Sequence, residues 1–303
     1  MKIVNIDGGL GNQMFKYAFA LVLREKHPNE IVYIDSRLCR YRRPQAHNGY
    51  ELDKLFNLEI KEATLWQILK ISKRAFGSVI YKISHRWYEK YKSYFYEHID
   101  NSYIEDYLAP SVYNKDLVDN SAFFYFDISA QSWQYYEDYK DLIKKAFVFK
   151  IPLDNYNNKI ISEMKNCNSV AIHFRMGDYL LLPYFNVCSI EYYNQAINIV
   201  KEKLPNIHYY IFTNDTDSFN NNLSNELSIE GEAITIIDKN TVGNNYKDII
   251  LMSQCKCVII ANSSFSWWGA WLNEIPNHIL ISPKRWFLND ECPDICPNDW
   301  IRI

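Results

Sequence analysis

No run of about 20 consecutive apolar residues occurs in the 303-residue sequence, so a conventional membrane-crossing helix is not expected. The opening residues, MKIVNIDGG, lack the apolar core and small-residue cleavage site of an export signal and lead straight into a strand and a turn. Positive charge is not in excess: the net charge of −3 argues against a general affinity for nucleic acid or anionic membranes, although local basic patches stay open. Seven cysteines, an odd number without an export signal, point to reduced thiols in the cytoplasm. Cys255 with Cys257 and Cys292 with Cys296 have loosely metal-like spacing, but no second pair at zinc-site spacing accompanies them, and no metal site is expected. Repeats, low-complexity tracts and coiled-coil heptads are also missing.

The composition that remains is that of a folded chain, with 48% hydrophobic and 23% charged residues. Its length suits two domains of about 150 residues, here drawn at 1–150 and 151–303. Aromatics are abundant at 16%, with 24 Tyr and 8 Trp, which suits a carbohydrate-handling surface, while most such rings fill cores.

The order of elements follows from periodicity. KIVNI reads as a strand, and MFKYAFALVLREKH carries Met14, Phe15, Ala18, Phe19 and Val22 at helical spacing until Pro28. EIVYID is a second strand. A basic, aromatic stretch at about 62–98 follows. Its scattered Lys and Arg favour a helical insertion over an amphipathic element lying on a membrane surface. AFFYFDISAQSWQYYEDYKDLIKKAFVF reads as strand, turn and helix, and KIPLDNYNN as a linker. In the second half SVAIHF, HYYIFTN, AITIID, CVIIAN and HILISP alternate with helical runs, which predicts a mostly parallel sheet covered by helices.

Three clusters stand out. HFRMGDY puts His173, Arg175 and Asp178 at the end of an apolar strand, where open α/β folds bind ligands, and a planar guanidinium suits bidentate contact with phosphate. DGGLGNQ supplies Gly9 and Gly11, with Asn12 and Gln13 in the first helical turn. Met14 stands where a dinucleotide fingerprint needs its third glycine, and there is no GK[ST]. ANSSFSWWGAWLN delivers Asn262, Ser263, Ser264, Phe265 and Ser266 to a helix start, either as caps or as an anion cradle, while Trp267, Trp268 and Trp271 have the spacing of a core face.

GGLGNQMFKYA, HFRMGDY and NSSFSWWGAWL resemble three signature segments of the bacterial α-1,2-fucosyltransferases, glycosyltransferase family 11. YELDKLFNL, QSWQYYEDYKDLI and PKRWF resemble further family segments in the same order, so that the resemblance covers nearly the whole chain. Two departures are visible: Lys16 stands where the family usually has Gln, and Met176 where a second Arg is frequent, which places extra weight on Arg175.

The resemblance implies an α/β fold of GT-B type, with two Rossmann-like domains facing a cleft. It implies inverting transfer of L-fucose from GDP-fucose to the 2-hydroxyl of a terminal galactose, with no cofactor and no essential metal. The domain at 1–150 would face the acceptor, a galactose-terminated oligosaccharide or lipid-linked glycan, and the domain at 151–303 would bind GDP-fucose. Arg175 would hold the β-phosphate, Asn262, Ser263, Ser264, Phe265 and Ser266 would complete the cradle, and His173 would help position the nucleoside. A more distant similarity, to the protein O- and α-1,6-fucosyltransferases, implies that Asp248 reads the guanine. Asp178 and Asp7 are the candidate bases. A glycan- or sugar-nucleotide-binding protein without turnover is the alternative. Nucleic acid is not an expected partner, and peripheral association at the inner membrane face and oligomeric state are left open.

Overall fold

The computed structural model describes residues 1–41, 48–71, 80, 83–84, 86–91, 102–104, 112–122, 124–175, 187–213, 215–220, 224–288 and 294–303. Asp178, Met176 and Cys292, and most of the segment after Ile71 that reads as a helical insertion, lie outside the described residues. The chain divides into two compact units, Met1–Ile151 and Pro152–Ile303.

The first unit holds a parallel sheet in the order β2-β1-β4-β3, formed by β1 (Lys2–Asn5), β2 (Val32–Asp35), β3 (Ser102–Ile104) and β4 (Tyr125–Asp127). β1 is central and buried along its whole length, as a strand covered on both faces must be. The helix Leu10–Lys26 that follows it is buried almost continuously from Leu10 to Leu23, which explains why its sequence is apolar beyond one stripe. Of the basic 62–98 stretch, Leu65–Leu69 is helical, started by a reciprocal capping box between Thr64 and Gln67, and residues 86–91 are helical too.

The second unit is a six-stranded parallel sheet in the order β10-β9-β8-β5-β6-β7. Its strands are β5 (Asn168–Phe174), β6 (Ile207–Thr213), β7 (Ala233–Ile237), β8 (Cys257–Ile259), β9 (Ile279–Ser282) and β10 (Ile301–Arg302). Val170, Ile172 and Phe174 of β5 pack with Tyr193, Ile197 and Val200 of the helix Ile190–Lys203 in its core. The apparent linker is shorter than its composition suggests. Asp154 accepts a hydrogen bond from Asn157 N at 2.9 Å and starts a helix, Asn155–Lys165, within the Asn-rich run.

In each sheet the chain first builds to one side and then returns to the other. β5 is followed by β6 and β7 on one side, and β8 then adds to its opposite edge. In the first unit the reversal falls between β1 and β4. Such switch points leave a crevice at the carboxyl ends of the two strands, the place where open α/β sheets take ligands.

Candidate functional site

At the switch point of the second unit, β5 and β8 run side by side, with Ile172 opposite Ile259. β5 therefore delivers His173 and Arg175, and β8 delivers Asn262 to Ser266, to neighbouring positions on one edge. The rings of His173 and Phe265 lie 6.0 Å apart, so two of the three sequence clusters meet here. His173 is buried, and among the described residues its Nδ1 has no hydrogen-bond partner. Burial first, and then the charge of Arg175, lower its pKa to about 3. The imidazole is therefore neutral at physiological pH and carries a polar atom that a ligand could satisfy.

The loop after β8 is fixed from below by residues that sequence reasoning did not single out. Tyr192 donates to Ile260 O at 2.6 Å, and its neighbour Tyr193 donates to His173 O at 3.1 Å. Burial raises both phenols well above their usual pKa, so both remain donors. Asn262 donates to Trp286 O at 2.9 Å and accepts from Cys188 Sγ at 3.6 Å, so its side chain positions the loop.

Ser263 precedes the helix Ser264–Trp271 but makes no side-chain cap bond. The first intrahelical bond runs from Trp267 N to Ser263 O at 3.0 Å, so the amides before Trp267 are not used within the helix. Ser266 is buried and bonds Ser263 O at 3.3 Å, whereas Ser264 and Phe265 are partly exposed. Trp267, Trp268 and Trp271 are buried, with Trp267 donating to Ile295 O at 2.9 Å. Gly269 is required where this helix crosses Tyr246–Met252, since a Cβ there would lie 2.8 Å from Met252 Cβ.

Asp248, in the first turn of Tyr246–Met252, is partly buried. Burial raises its pKa to about 7 against the opposing effect of Asn240, which donates to it at 2.7 Å. Asn240 also bonds Asn157, which bonds Asp154, so Asp248 belongs to a polar network reaching the start of Asn155–Lys165.

In the first unit the carboxyl edge of β1 and β4 carries a charged cluster. Lys16 Nζ lies 2.5 Å from Asp7 and 3.7 Å from Asp127, and Asn5 donates to both carboxylates at 3.1 and 2.7 Å. The lysine that departs from the family pattern thus sits as a buried cation between two acids. In the glycine turn, the left-handed conformation falls on Gly8 (φ 80°), one residue before Gly9, which is extended at the helix start. Gly11 lies buried within the helix. Gln13 is buried, and its amide donates to Gly8 O and Gly49 O at 2.9 and 2.8 Å and accepts from Glu51 N at 2.9 Å. Its role is to tie the turn to the 48–51 loop, and its bonding capacity is used internally. Asn12 accepts from Gln131 at 2.9 Å and is partly exposed.

The sequence model of Glycosyl transferase family 11 matches residues 1–303. The chain belongs to glycosyl transferase family 11. Among curated family relatives, an α-1,2-colitosyltransferase of Escherichia coli is 30% identical, over 99% of this chain and 98% of its own. The O-antigen biosynthesis glycosyltransferase WbnK of E. coli is 27% identical over 98% and 99%. Among solved structures, the fucosyltransferase NodZ from Bradyrhizobium is similar with a TM-score of 0.50 at 14% identity, covering 88% of this chain and 90% of its own. NodZ co-crystallized with GDP gives 0.51 with the same identity and coverage. The fold of this family 11 chain is accordingly of the GT-B class, and its activity is glycosyl transfer.

Proposed function

We propose that this family 11 enzyme transfers L-fucose from GDP-fucose, with inversion, to the 2-hydroxyl of a terminal galactose on an oligosaccharide or lipid-linked glycan. The observation that carries the donor half is the convergence at one switch point of Arg175, a neutral His173 with an unpartnered Nδ1, and an uncapped helix start. A neutral imidazole donates or accepts a hydrogen bond without adding charge. The guanidinium and the amides of the helix start can take up the charge that collects on the β-phosphate as the bond from fucose C1 to its oxygen breaks. The electron pair leaves with GDP, the acceptor oxygen bonds C1 from the opposite face, and its proton goes to a carboxylate. Asp7 and Asp178 are the two candidates. No metal is needed when cationic side chain and backbone donors do this work, and Asp248 is assigned to the guanine N1–H and amino group.

A second donor is favoured by a specific comparison, since the 30%-identical relative is named for transfer of colitose in α-1,2 linkage. Incubation of the purified chain with GDP-fucose or GDP-colitose and an array of β-galactoside glycans, with the linkage read by NMR, tests both halves. Transfer of fucose to a galactose 2-hydroxyl is the expected result. Transfer of colitose alone overturns the donor assignment, and a linkage at any other hydroxyl overturns the acceptor assignment. Slow release of GDP and free fucose without acceptor separates a working leaving-group site from a binding protein without turnover.

A further inference from the structure

The segment 64–96 carries seven Lys and Arg residues against one acid, Glu89, in a chain whose net charge is −3. On the helical residues 86–91, Tyr88 is buried while Trp87 is 63% exposed and Tyr91 43% exposed. Positions 87 and 91 are one helical turn apart and share a face, with their rings 6.1 Å apart. Lys90 covers the Tyr91 ring at 5.2 Å, and Arg86 is exposed beside them. Ile83, which precedes the break at Ser84 before this helix, is 79% exposed, and Trp66 of Leu65–Leu69 is a second indole, 75% exposed.

Water-exposed indoles are costly for a soluble face, because each leaves a large apolar ring hydrated. The sequence pattern, with basic residues scattered along the stretch, argues against a one-faced amphipathic helix. The side chains nevertheless present aromatic rings and basic groups outward together, with Tyr88 anchoring the opposite side. Trp and Tyr settle at the headgroup level of a bilayer, and Lys and Arg are drawn to anionic lipid. We propose that the exposed face of this helix, built from Arg86, Trp87, Lys90 and Tyr91, with Ile83 exposed just before it, docks the protein peripherally on an anionic lipid surface. Arg86 and Lys90, exposed here against the one acid Glu89, favour that occupant over a second copy of this chain, whose corresponding face would carry the same charge.

The test is flotation of the full-length protein with vesicles of phosphatidylcholine alone or with about one third phosphatidylglycerol, alongside Trp87→Ser/Ile83→Ser and Arg86→Glu/Lys90→Glu variants. The expected result is partitioning to anionic vesicles at least about tenfold above that to neutral ones. Raising salt from about 0.1 to 0.5 M should reverse it, and either double variant should lower it about tenfold. Thermal melts and transfer to a soluble acceptor should match the parent in both variants, which separates loss of docking from loss of folding or of the transfer site. Equal partitioning to the two vesicle types, or variants that bind as the parent does, overturns the proposal. So does light scattering that shows a parental dimer dissociating in the Trp87→Ser/Ile83→Ser variant, for the face would then be covered by a second copy.

Discussion

Arg175 acts on its surroundings even without a ligand, since its charge, after burial, holds His173 at a pKa of about 3. The pair therefore offers one fixed positive charge and one neutral hydrogen-bonding ring, a division of labour suited to a diphosphate and a nucleoside. Arg175→Ala should lower kcat by a factor of about 10² or more, the scale of losing one preorganised charge-stabilising donor. Arg175→Lys should recover only part, because a point charge cannot make the bidentate contact. Steady-state kinetics beside thermal melts check this: an alanine variant that melts early, but whose folded fraction turns over normally, would make the arginine structural. Asp248 makes a different prediction, one of pH. Its carboxyl is raised by burial from about 4 to about 7, so the folded state binds the extra proton between those values. Its contribution to stability is therefore largest at low pH and falls as pH rises from about 4 to about 7. If the ionised carboxylate reads guanine, GDP affinity should instead rise about tenfold from pH 6 to pH 8, with uptake of GDP releasing a proton. Asp248→Asn should bind GDP about tenfold or more weakly and lose that part of the slope, the phosphate's own titration being common to both proteins. Calorimetric titration at the two pH values decides it, and equal affinity and slope in the two proteins would assign base reading elsewhere.

Among the elements, the long or strongly periodic ones were legible. The helix Leu10–Lys26, the helix Ile190–Lys203 and the apolar strands of the second unit lie where periodicity places them, because burial on both faces writes a nearly continuous apolar run into sequence. β3 and β10, with three and two residues, carry too little pattern to be seen and exist by pairing with a neighbour already in place. The helix Asn155–Lys165 was hidden by asparagines, which favour turns, although its start signal was present at Asp154. The site was legible to a similar degree. The motifs identified the edge, but the supports from Tyr192 and Tyr193 and the saturation of Gln13 depend on contacts between segments far apart in sequence. The missed helix start is itself testable. The Asp154 carboxyl is held down at about 2, first by the Asn157 amide and then by Lys247. A depressed acid contributes stability above its unfolded pKa of about 4 and loses it as pH falls toward 2. Asp154→Ala should cost about 1 kcal/mol at neutral pH, the usual worth of such a cap. Melting followed by circular dichroism should show parent and variant converging as pH drops through that window, and a constant gap between them would mean that the cap works through something other than its charge.

At the scale of the whole molecule, each unit repeats one device: a central first strand, a reversal of strand order beside it, and polar residues gathered at the reversal. The two edges differ in charge chemistry. In the first unit a buried lysine lies between Asp7 and Asp127, and in the second Arg175 lies beside a neutral imidazole on the strand next to a helix start without a side-chain cap. The proposed donor site puts the anionic diphosphate at the second edge, where its charge would meet a guanidinium and backbone donors rather than two carboxylates. If those groups neutralise the departing GDP, a divalent cation has no step left to serve. Transfer rates with GDP-fucose should then be unchanged, within about twofold, in excess EDTA and on addition of Mg²⁺ or Mn²⁺. The same chelated sample should still show GDP slowing amide exchange at residues 172–175 and 260–268, which reports donor binding apart from turnover. Loss of turnover in chelator that Mg²⁺ restores, with exchange protection lost and regained alongside, would show that a metal rather than Arg175 and the helix start carries the phosphate charge.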